Sequence, residues 1–290
     1  MKSSKIAEFA QREFIGEDVE IKTFSSLSNL ENNSVVFAKK YSRDYLDALS
    51  KAQDILAIVC EEYRGKLNIP HIISPNPRLD YIRVVSEFFL EREIAAGVHP
   101  TAIVEDGAVL GMNVSIGAHC YIGSKVSIGD NTTILPNTSI YGKVTIGEDC
   151  YIKPGVVIGG SGFGFEYDEN EVPVHFPHTG EVIIGNHVYI GSNTTIDRAT
   201  IDATVIKDNV KIDNLVHIAH NCIIEENAFV IAGAVLCGGV KIGKNSWISP
   251  NSSIHQKTLI GDHSTIGIGS VVLKKVKSGE IVFGNPASKL

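Results

Sequence analysis

The chain has 290 residues, of which 43% are apolar and 20% are charged, as expected for one or two globular domains. Its net charge of −7 argues against nucleic acid or an anionic membrane surface as the main partner. The five cysteines are widely spaced without a CxxC pair, which indicates buried thiols in a reducing compartment rather than disulfides. No segment approaches the roughly 18 to 20 apolar residues that a membrane helix needs, so we expect a cytoplasmic protein.

The first part of the chain, residues 1–96, lacks any repeat and predicts a small α/β domain. Alternating or continuous apolar residues predict strands, and apolar residues at helical spacing predict helices. The last helix begins after Pro77, which suits the first turn of a helix. In chain order the predicted elements are a helix over 6–14, strands over 18–24 and 34–38, a helix over 43–51, strands over 55–60 and 71–74, and the helix that follows Pro77.

The second part, residues 97–290, carries a six-residue repeat. An aliphatic residue occupies every sixth position from Val98 to Ile158, and again from Ile206 to Val272. An α-helix would need apolar residues at a spacing of 3.6, and a flat strand at a spacing of two. The hexad is typical of a parallel β-helix, in which three hexads close one coil and the aliphatic side chains point inward. At ~4.8 Å per coil we expect about eight to nine coils and a prism about 40 Å long.

One interruption of the repeat, over residues 159–183, is too long for a corner and predicts a projecting loop. The 48 residues from Ile158 to Ile206 are a multiple of six, so the repeat regains its phase. Long ordered loops often carry function. The aromatic residues of this loop, Phe163 and Phe165 among them, either cover a sugar or nucleobase or contact another subunit.

Two motifs carry a resemblance to a known family. The segment DRATIDATVIKDNVKIDNLVHIAHN (197–221) and the segment GSGFGF (160–165) resemble the UDP-3-O-acylglucosamine N-acyltransferases of lipid A synthesis. The resemblance implies a left-handed β-helix, a homotrimer with active sites in grooves between subunits, and a small α/β domain at the amino terminus. It also implies acyl transfer from acyl carrier protein to a sugar amine, with His220 of the IAHN motif as general base. No bound cofactor is implied; the acyl thioester is a co-substrate.

Three departures from the family pattern bear on the substrate. Lys257 stands at the position of a second active-site histidine, with His255 two residues away. The loop after Phe37 is shortened, and the sequence ends at Leu290 where the family continues into carboxy-terminal helices. These departures favour smaller relatives that acylate nucleotide-linked amino sugars from acyl-CoA. The lipid A enzyme itself, UDP-3-O-(3-hydroxyacyl)glucosamine N-acyltransferase, is the alternative.

Amide formation needs a base for the attacking amine and a donor for the thioester oxyanion. His220 suits the first role, because an imidazole titrates near neutral pH. Asp213, seven residues earlier, either orients His220, contacts the sugar, or is a solvated corner residue. One coil of 18 residues stacks Gly238 beside His220, where its N–H would bind the oxyanion unless the glycine merely turns a corner.

Two other classes of protein are possible. A zinc hydratase of the γ-carbonic-anhydrase type is a second possible enzyme class, but beyond His217 and His220 no third ligand is evident, and we predict no metal. A non-catalytic scaffold is a third class, although it would need neither a second domain nor the IAHN segment.

Further residues are predicted to bind substrate. The predicted substrate-binding residues are His217, Asn221, His255 and Lys257 near the base, Phe163 and Phe165 in the loop, and Phe37 and Tyr41, which would stack on the nucleobase.

Overall fold

The computed structural model of the protein describes residues 1–91 and 93–289. The chain divides into two compact units, Met1–Glu93 and Ile94–Leu290. Among the described residues, no helix combines the length and the apolar character needed to cross a membrane.

The amino-terminal unit is a five-stranded sheet with helices. Strands β3 (Ser34–Ala38), β4 (Leu56–Val59) and β5 (His71–Ile73) are rich in Val and Ile and almost wholly buried, as expected for a parallel sheet covered on both faces. With β1 as Glu13–Ile15 and β2 as Thr23–Phe24, the sheet order is β1-β5-β4-β3-β2, and all neighbouring strands are parallel except β1, which is antiparallel to β5. The elements are α1 Ser3–Ala10, β1 Glu13–Ile15, β2 Thr23–Phe24, β3 Ser34–Ala38, α2 Arg43–Ser50, β4 Leu56–Val59, a 3₁₀ turn Glu61–Tyr63, β5 His71–Ile73 and α3 Pro77–Phe88.

Two predicted elements of this unit differ from the structure. The first helix ends at Ala10, because Gln11 adopts a left-handed conformation (φ 53°) that caps it, and the chain then forms β1. Only Thr23–Phe24 of the strand predicted over 18–24 belongs to the sheet, and Glu20 forms an isolated antiparallel bridge with Lys2. The start of α3 agrees with the prediction: Pro77 opens the helix, and the side chain of Asn76 accepts a hydrogen bond from the Leu79 N–H.

The second unit is a parallel β-helix, as the hexads predict. Its three sheets, here called PB1, PB2 and PB3, are visited in turn along the chain. PB1 contains Gly97–Val98, Ser115–Ile116, Thr133–Ile134, Tyr151–Ile152, Tyr189–Ile190, Lys211–Ile212, Phe229–Val230, Trp247–Ile248, Thr265–Ile266, Ile281–Gly284 and the antiparallel Ala287–Lys289. PB2 contains Ile103–Val104, Tyr121–Ile122, Ser139–Ile140, Val157–Ser161, Thr195–Arg198, His217–Ile218, Val235–Leu236, Ser253–Ile254 and Val271–Val272. PB3 contains Val109–Leu110, Val126–Ile128, Lys143–Ile146, Glu181–Ile184, Ala203–Ile206, Ile223–Ile224, Lys241–Ile242 and Leu259–Ile260.

The hexad aliphatics form columns inside the prism. Ile122 pairs with Ile140 and Ile140 with Ile158 along PB2, and all three side chains are fully buried. Burying one such side chain contributes about 1.5 to 3 kcal/mol, so the columns are the main source of stability. The corners use left-handed residues, often asparagine as at Asn131 and Asn137, because asparagine tolerates positive φ.

The repeat is interrupted twice, and both insertions lie on the edge between PB2 and PB3. The first separates Val157–Ser161 from Glu181–Ile184 and contains a hairpin of strands Phe165–Tyr167 and Pro173–His175. The second is short: ten residues separate Ile196 from Ile206 where the repeat expects six. The backbone N–H of Gly180, at the base of the first insertion, donates to the carbonyl of Ala199 in the second, so the two insertions pack together.

Candidate active site

His220 lies on the edge of the β-helix that carries both insertions. It follows the PB2 strand His217–Ile218 and precedes the PB3 strand Ile223–Ile224. Ile218 is fully buried and fixes the strand, so the corner that follows turns the His220 side chain out of the core. The predicted base therefore faces the hairpin insertion and the short insertion together.

Hydrogen bonding defines which nitrogen of His220 can act as a base. The Nδ1 atom is 2.9 Å from the Oδ1 atom of Asn221. The same oxygen accepts from the backbone N–H and from the hydroxyl of Thr200, both at 3.1 Å, which identifies it as the amide oxygen. An oxygen only accepts, so Nδ1 carries the proton and Nε2 keeps a free lone pair. His220 thus has the tautomer that a general base requires.

Asn221 acts mainly inside the protein. Its backbone is left-handed (φ 61°), and its N–H donates to Thr204 Oγ1 at 2.9 Å. Its amide oxygen is engaged by His220 and Thr200, so only its amide nitrogen remains for the substrate contact that the sequence predicts. The structure gives Asn221 a positioning role.

Gly238 lies where the 18-residue repeat places it, against the edge of the His220 ring. A Cβ atom on Gly238 would stand 2.6 Å from His220 Cε1 and 2.7 Å from Nε2. The Gly238 carbonyl accepts from the Lys257 N–H at 2.9 Å, whereas its own N–H has no acceptor within the described part of the chain. A free backbone donor beside the lone pair of a base is the arrangement that oxyanion binding needs.

Asp213 does not belong to this edge. It follows the PB1 strand Lys211–Ile212, so it lies at the preceding corner of the same coil. Its carboxylate accepts from the N–H of Asn214 at 2.7 Å and from the N–H of Ala232 at 3.3 Å. The prediction that Asp213 orients His220 of the same chain is therefore wrong, because a spacing of seven residues places the two side chains on different corners of the coil.

The carboxylate on the His220 edge is that of Asp197, which the sequence prediction passed over. Its Oδ2 atom is 4.0 Å from Nε2 of His217, whose Nδ1 atom is 2.8 Å from Thr195 Oγ1. Burial raises the pKa of Asp197, and the charges of His217, His220, His178 and Arg198 oppose that rise. Asp197 thus sits among three imidazoles and one guanidinium. The ten-residue spacing from Ile196 to Ile206 was the sequence signal for this second irregular segment.

His178, near the end of the hairpin insertion, packs against His220. Its ring is edge-on to that of His220, with centroids 5.1 Å apart, and the residue is only 4% exposed. Its Nδ1 atom donates to the Phe176 carbonyl at 2.8 Å, so Nε2 carries the lone pair. No hydrogen-bond partner for Nε2 occurs among the described residues. Arg198 stabilises this position of His178 by donating hydrogen bonds to the carbonyls of His178 and Gly159.

The aromatic residues of the hairpin form a chain of ring contacts that ends at His178. Phe163 contacts Phe165, Phe165 contacts His175, and His175 lies 6.0 Å from His178 between ring centroids. Phe163 is 89% exposed, which makes it the outermost ring of this series. The loop predicted to cover the site therefore does reach His220, through His178 rather than through the phenylalanines.

His255 and Lys257 lie on the same edge as His220 but further along the prism. They follow the PB2 strand Ser253–Ile254, two coils after His217–Ile218, which is about 10 Å at 4.8 Å per coil. Lys257 packs against Gly239, where a Cβ atom would meet its Cγ at 3.3 Å. Neither side chain contacts His220 in the described structure, so a role for them requires a substrate that extends along this edge of the β-helix.

In the amino-terminal unit, only one of the two predicted stacking residues lines a cleft. Phe37 borders a cleft of ≈ 520 Å³ together with Lys39, Lys40, Tyr45 and residues 25–28. The Phe37 ring also contacts the Tyr81 ring, at 4.8 Å between centroids. Tyr41 is 41% exposed, and its ring contacts Tyr63, at 5.1 Å between centroids, and the Lys66 ammonium, 4.1 Å from its centre. Tyr45, not Tyr41, is the second aromatic residue that borders the cleft.

The described residues contain no group of three or more His, Cys, Asp or Glu side chains arranged to hold a metal ion.

Comparison with known proteins gives the family. Residues 125–160, 203–238 and 239–274 match the family described as bacterial transferase hexapeptide (six repeats), and residues 181–217 match the hexapeptide repeat of succinyl-transferase. The UDP-3-O-acylglucosamine N-acyltransferase of Campylobacter lari is 32% identical over 99% of this chain and 93% of its own length. The enzyme of that name from Pseudomonas syringae is 34% identical over 80% of this chain and 71% of its own.

Solved structures agree with these relatives. LpxA from Acinetobacter baumannii has a TM-score of 0.60 at 29% identity, over 67% of this chain and 73% of that one. The UDP-N-acetylglucosamine acyltransferase from Campylobacter jejuni has a TM-score of 0.59 at 26% identity, over 67% and 74%. The full-length match to Campylobacter lari favours the lipid A alternative over the smaller relatives that the sequence departures suggested. The chain is thus an acyltransferase and belongs to the UDP-3-O-acylglucosamine N-acyltransferase family.

Proposed function

We propose that the protein transfers an acyl group from a thioester to the amine of a UDP-3-O-acylglucosamine. The observation that carries this proposal is the pairing of a base and an oxyanion donor. His220 Nε2 has a free lone pair, and Gly238, whose N–H has no acceptor within the described residues, lies against the same ring edge. The names of the relatives supply the substrate class.

The geometry supports a simple sequence of steps. The amine nitrogen attacks the thioester carbon while His220 Nε2 takes one of its protons, and the C=O π electrons move to the oxygen. The Gly238 N–H donates a hydrogen bond to that oxyanion. When the intermediate collapses, the C–S bond breaks and the His220 imidazolium returns the proton to the departing sulfur. Asn221 stabilises the imidazolium by continuing to accept from Nδ1.

The amino-terminal unit supplies a second element of the proposal. Its cleft presents the Phe37 ring together with the ammonium groups of Lys39 and Lys40. An aromatic face suits a nucleobase, and two ammonium groups suit a diphosphate. We assign this cleft to the UDP moiety. The homotrimer implied by the family resemblance belongs to the same proposal.

An activity assay with purified protein tests the function. UDP-3-O-acylglucosamine is mixed with an acyl-carrier-protein thioester or with acyl-CoA, and amide product is detected by mass spectrometry. The proposal requires N-acylated product with at least one of these donors, and the comparison between them identifies the donor class. A purified, folded protein that acylates UDP-4-amino sugars but never the glucosamine substrate would contradict it and restore the smaller relatives.

A further inference from the structure

Two polar groups at the site take no part in the steps above. The first is His178 Nε2, an acceptor on a side chain that is 96% buried and has no partner among the described residues. The second is the Asp197 carboxylate, 17% exposed, which receives no hydrogen bond within the described chain and has His217 only at 4.0 Å. A buried acceptor without a donor costs free energy, so the persistence of His178 Nε2 needs an explanation.

The glycines of the GSG segment bring the backbone close to both groups without covering them with a side chain. A Cβ atom on Gly162 would lie 2.7 Å from His178 Nε2 and 3.0 Å from His220 Cδ2. A Cβ atom on Gly160 would lie 3.2 Å from Asp197 Oδ1. Any larger residue would therefore crowd the two imidazoles and the carboxylate, and glycine keeps this edge of them free of protein side chains.

The Nε2 atoms of the two imidazoles and the Asp197 carboxylate accept hydrogen bonds and do not donate them. His178 Nε2 has a lone pair because its Nδ1 donates to Phe176, and His220 Nε2 has one because its Nδ1 donates to Asn221. The nearby cation, Arg198, has its Nε and Nη1 groups bound to the carbonyls of His178 and Gly159. Asp197 adds negative charge. The site therefore favours a group with several N–H donors, such as a primary amine.

We propose that His178 and Asp197 form an amine-recognition pair, which holds the acceptor nitrogen beside His220 and selects an amine over a hydroxyl. This inference rests on the proposed function and adds a specificity mechanism to it. A primary amine offers two N–H groups, and its protonated form three, whereas a hydroxyl offers one. A bound hydroxyl would leave buried acceptors unpaired, and such mismatches are the strongest source of discrimination between similar substrates.

The test compares two ligands that differ in one group: UDP-3-O-acylglucosamine and the analogue with a hydroxyl in place of the amine. Titration calorimetry without acyl donor gives the dissociation constant of each. We expect the unchanged protein to bind the amine more tightly by about 10-fold or more, because only the amine satisfies the pair. In His178→Leu and Asp197→Asn we expect this ratio to fall to within about 3-fold, with little change for the hydroxyl ligand.

Two further variants separate recognition from structure. His178→Gln keeps an acceptor at the site and should retain part of the preference, while His187→Gln, at an exposed corner, should retain all of it. If His178→Leu does not fold, the Asp197→Asn ratio alone decides. A ratio near one in the unchanged protein, or an unchanged ratio in folded Asp197→Asn, would overturn the pair even if the enzyme N-acylates its substrate. Absence of N-acylation would instead remove the proposed function.

Discussion

The Nδ1 atom of His220 donates to the Oδ1 atom of Asn221 across 2.9 Å, and this contact fixes the tautomer of the base. Replacing His220 by Ala should lower kcat by about 10²- to 10⁴-fold with little change in Tm, because general base catalysis is lost while no buried contact of the core is. Steady-state kinetics and a thermal melt check both. His263→Asn, at an exposed left-handed corner, is the control. Turnover near the normal value in His220→Ala would contradict the assignment.

Asn221→Ala should reduce kcat by about 10- to 100-fold, because the proton on Nδ1 loses the acceptor that orients it. Asn221→Asp keeps an oxygen at the same place and should retain most of the activity. Asn227 is also left-handed (φ 59°) and touches neither His220 nor its partners, so Asn227→Ala controls for backbone strain. Equal losses in Asn221→Ala and Asn227→Ala would show that strain, not orientation, is responsible.

Gly238→Ala should lower kcat by about 10²- to 10³-fold, since its methyl group would stand within 2.7 Å of His220 Nε2 and shield the oxyanion donor. The matched control is Gly123→Ala on the same edge, where the nearest atom to a Cβ is Tyr141 Cα at 3.4 Å. Kinetics of the two variants distinguish a local block from a general intolerance of side chains at these corners, which would impair both alike.

Burial of Asp197 should make stability depend on pH. Its folded pKa is raised above the ordinary 3.8, so its favourable contribution is present below about pH 3.8 and lost as the pH rises through the folded value. Asp197→Asn should therefore raise Tm at pH 7 more than at pH 4. Thermal melts at both pH values measure this, with the exposed Asp202→Asn as control. A pH-independent difference would mean that Asp197 titrates normally.

The nucleotide assignment predicts a difference between two neighbouring aromatic residues. Phe37→Leu should raise KM for the nucleotide sugar about 5- to 150-fold with little change in kcat, because stacking on a base is worth about 1 to 3 kcal/mol. Tyr41→Leu should leave KM unchanged, since Tyr41 packs on Tyr63 and Lys66. A normal KM in folded Phe37→Leu would mean that the cleft does not bind the base.

The sequence predicted the β-helix because burial enforces the six-residue period: the aliphatic side chain at every sixth position, such as Ile140, must point into the core. The same period predicted the neighbour of His220, namely Gly238. The prediction for Asp213 failed, because a spacing of seven residues, unlike a full coil of 18, moves the side chain to another corner. Asp197 and His178 come from segments that break the repeat, where tertiary contacts with Arg198 and Phe176 decide the placement.

The residues of the β-helix that surround His220 lie between Val157 and Gly239, whereas the six-residue repeat runs without interruption from Val98 to Ile158 and from Ile206 to Val272. Each coil contacts only its immediate neighbours, so the prism can be lengthened or shortened in whole coils of 18 residues. Duplicating one coil near Ile260 should preserve His220 and its surroundings and lengthen only the part of the prism beyond Lys257. The length of the prism on that side can thus be altered independently of the chemistry.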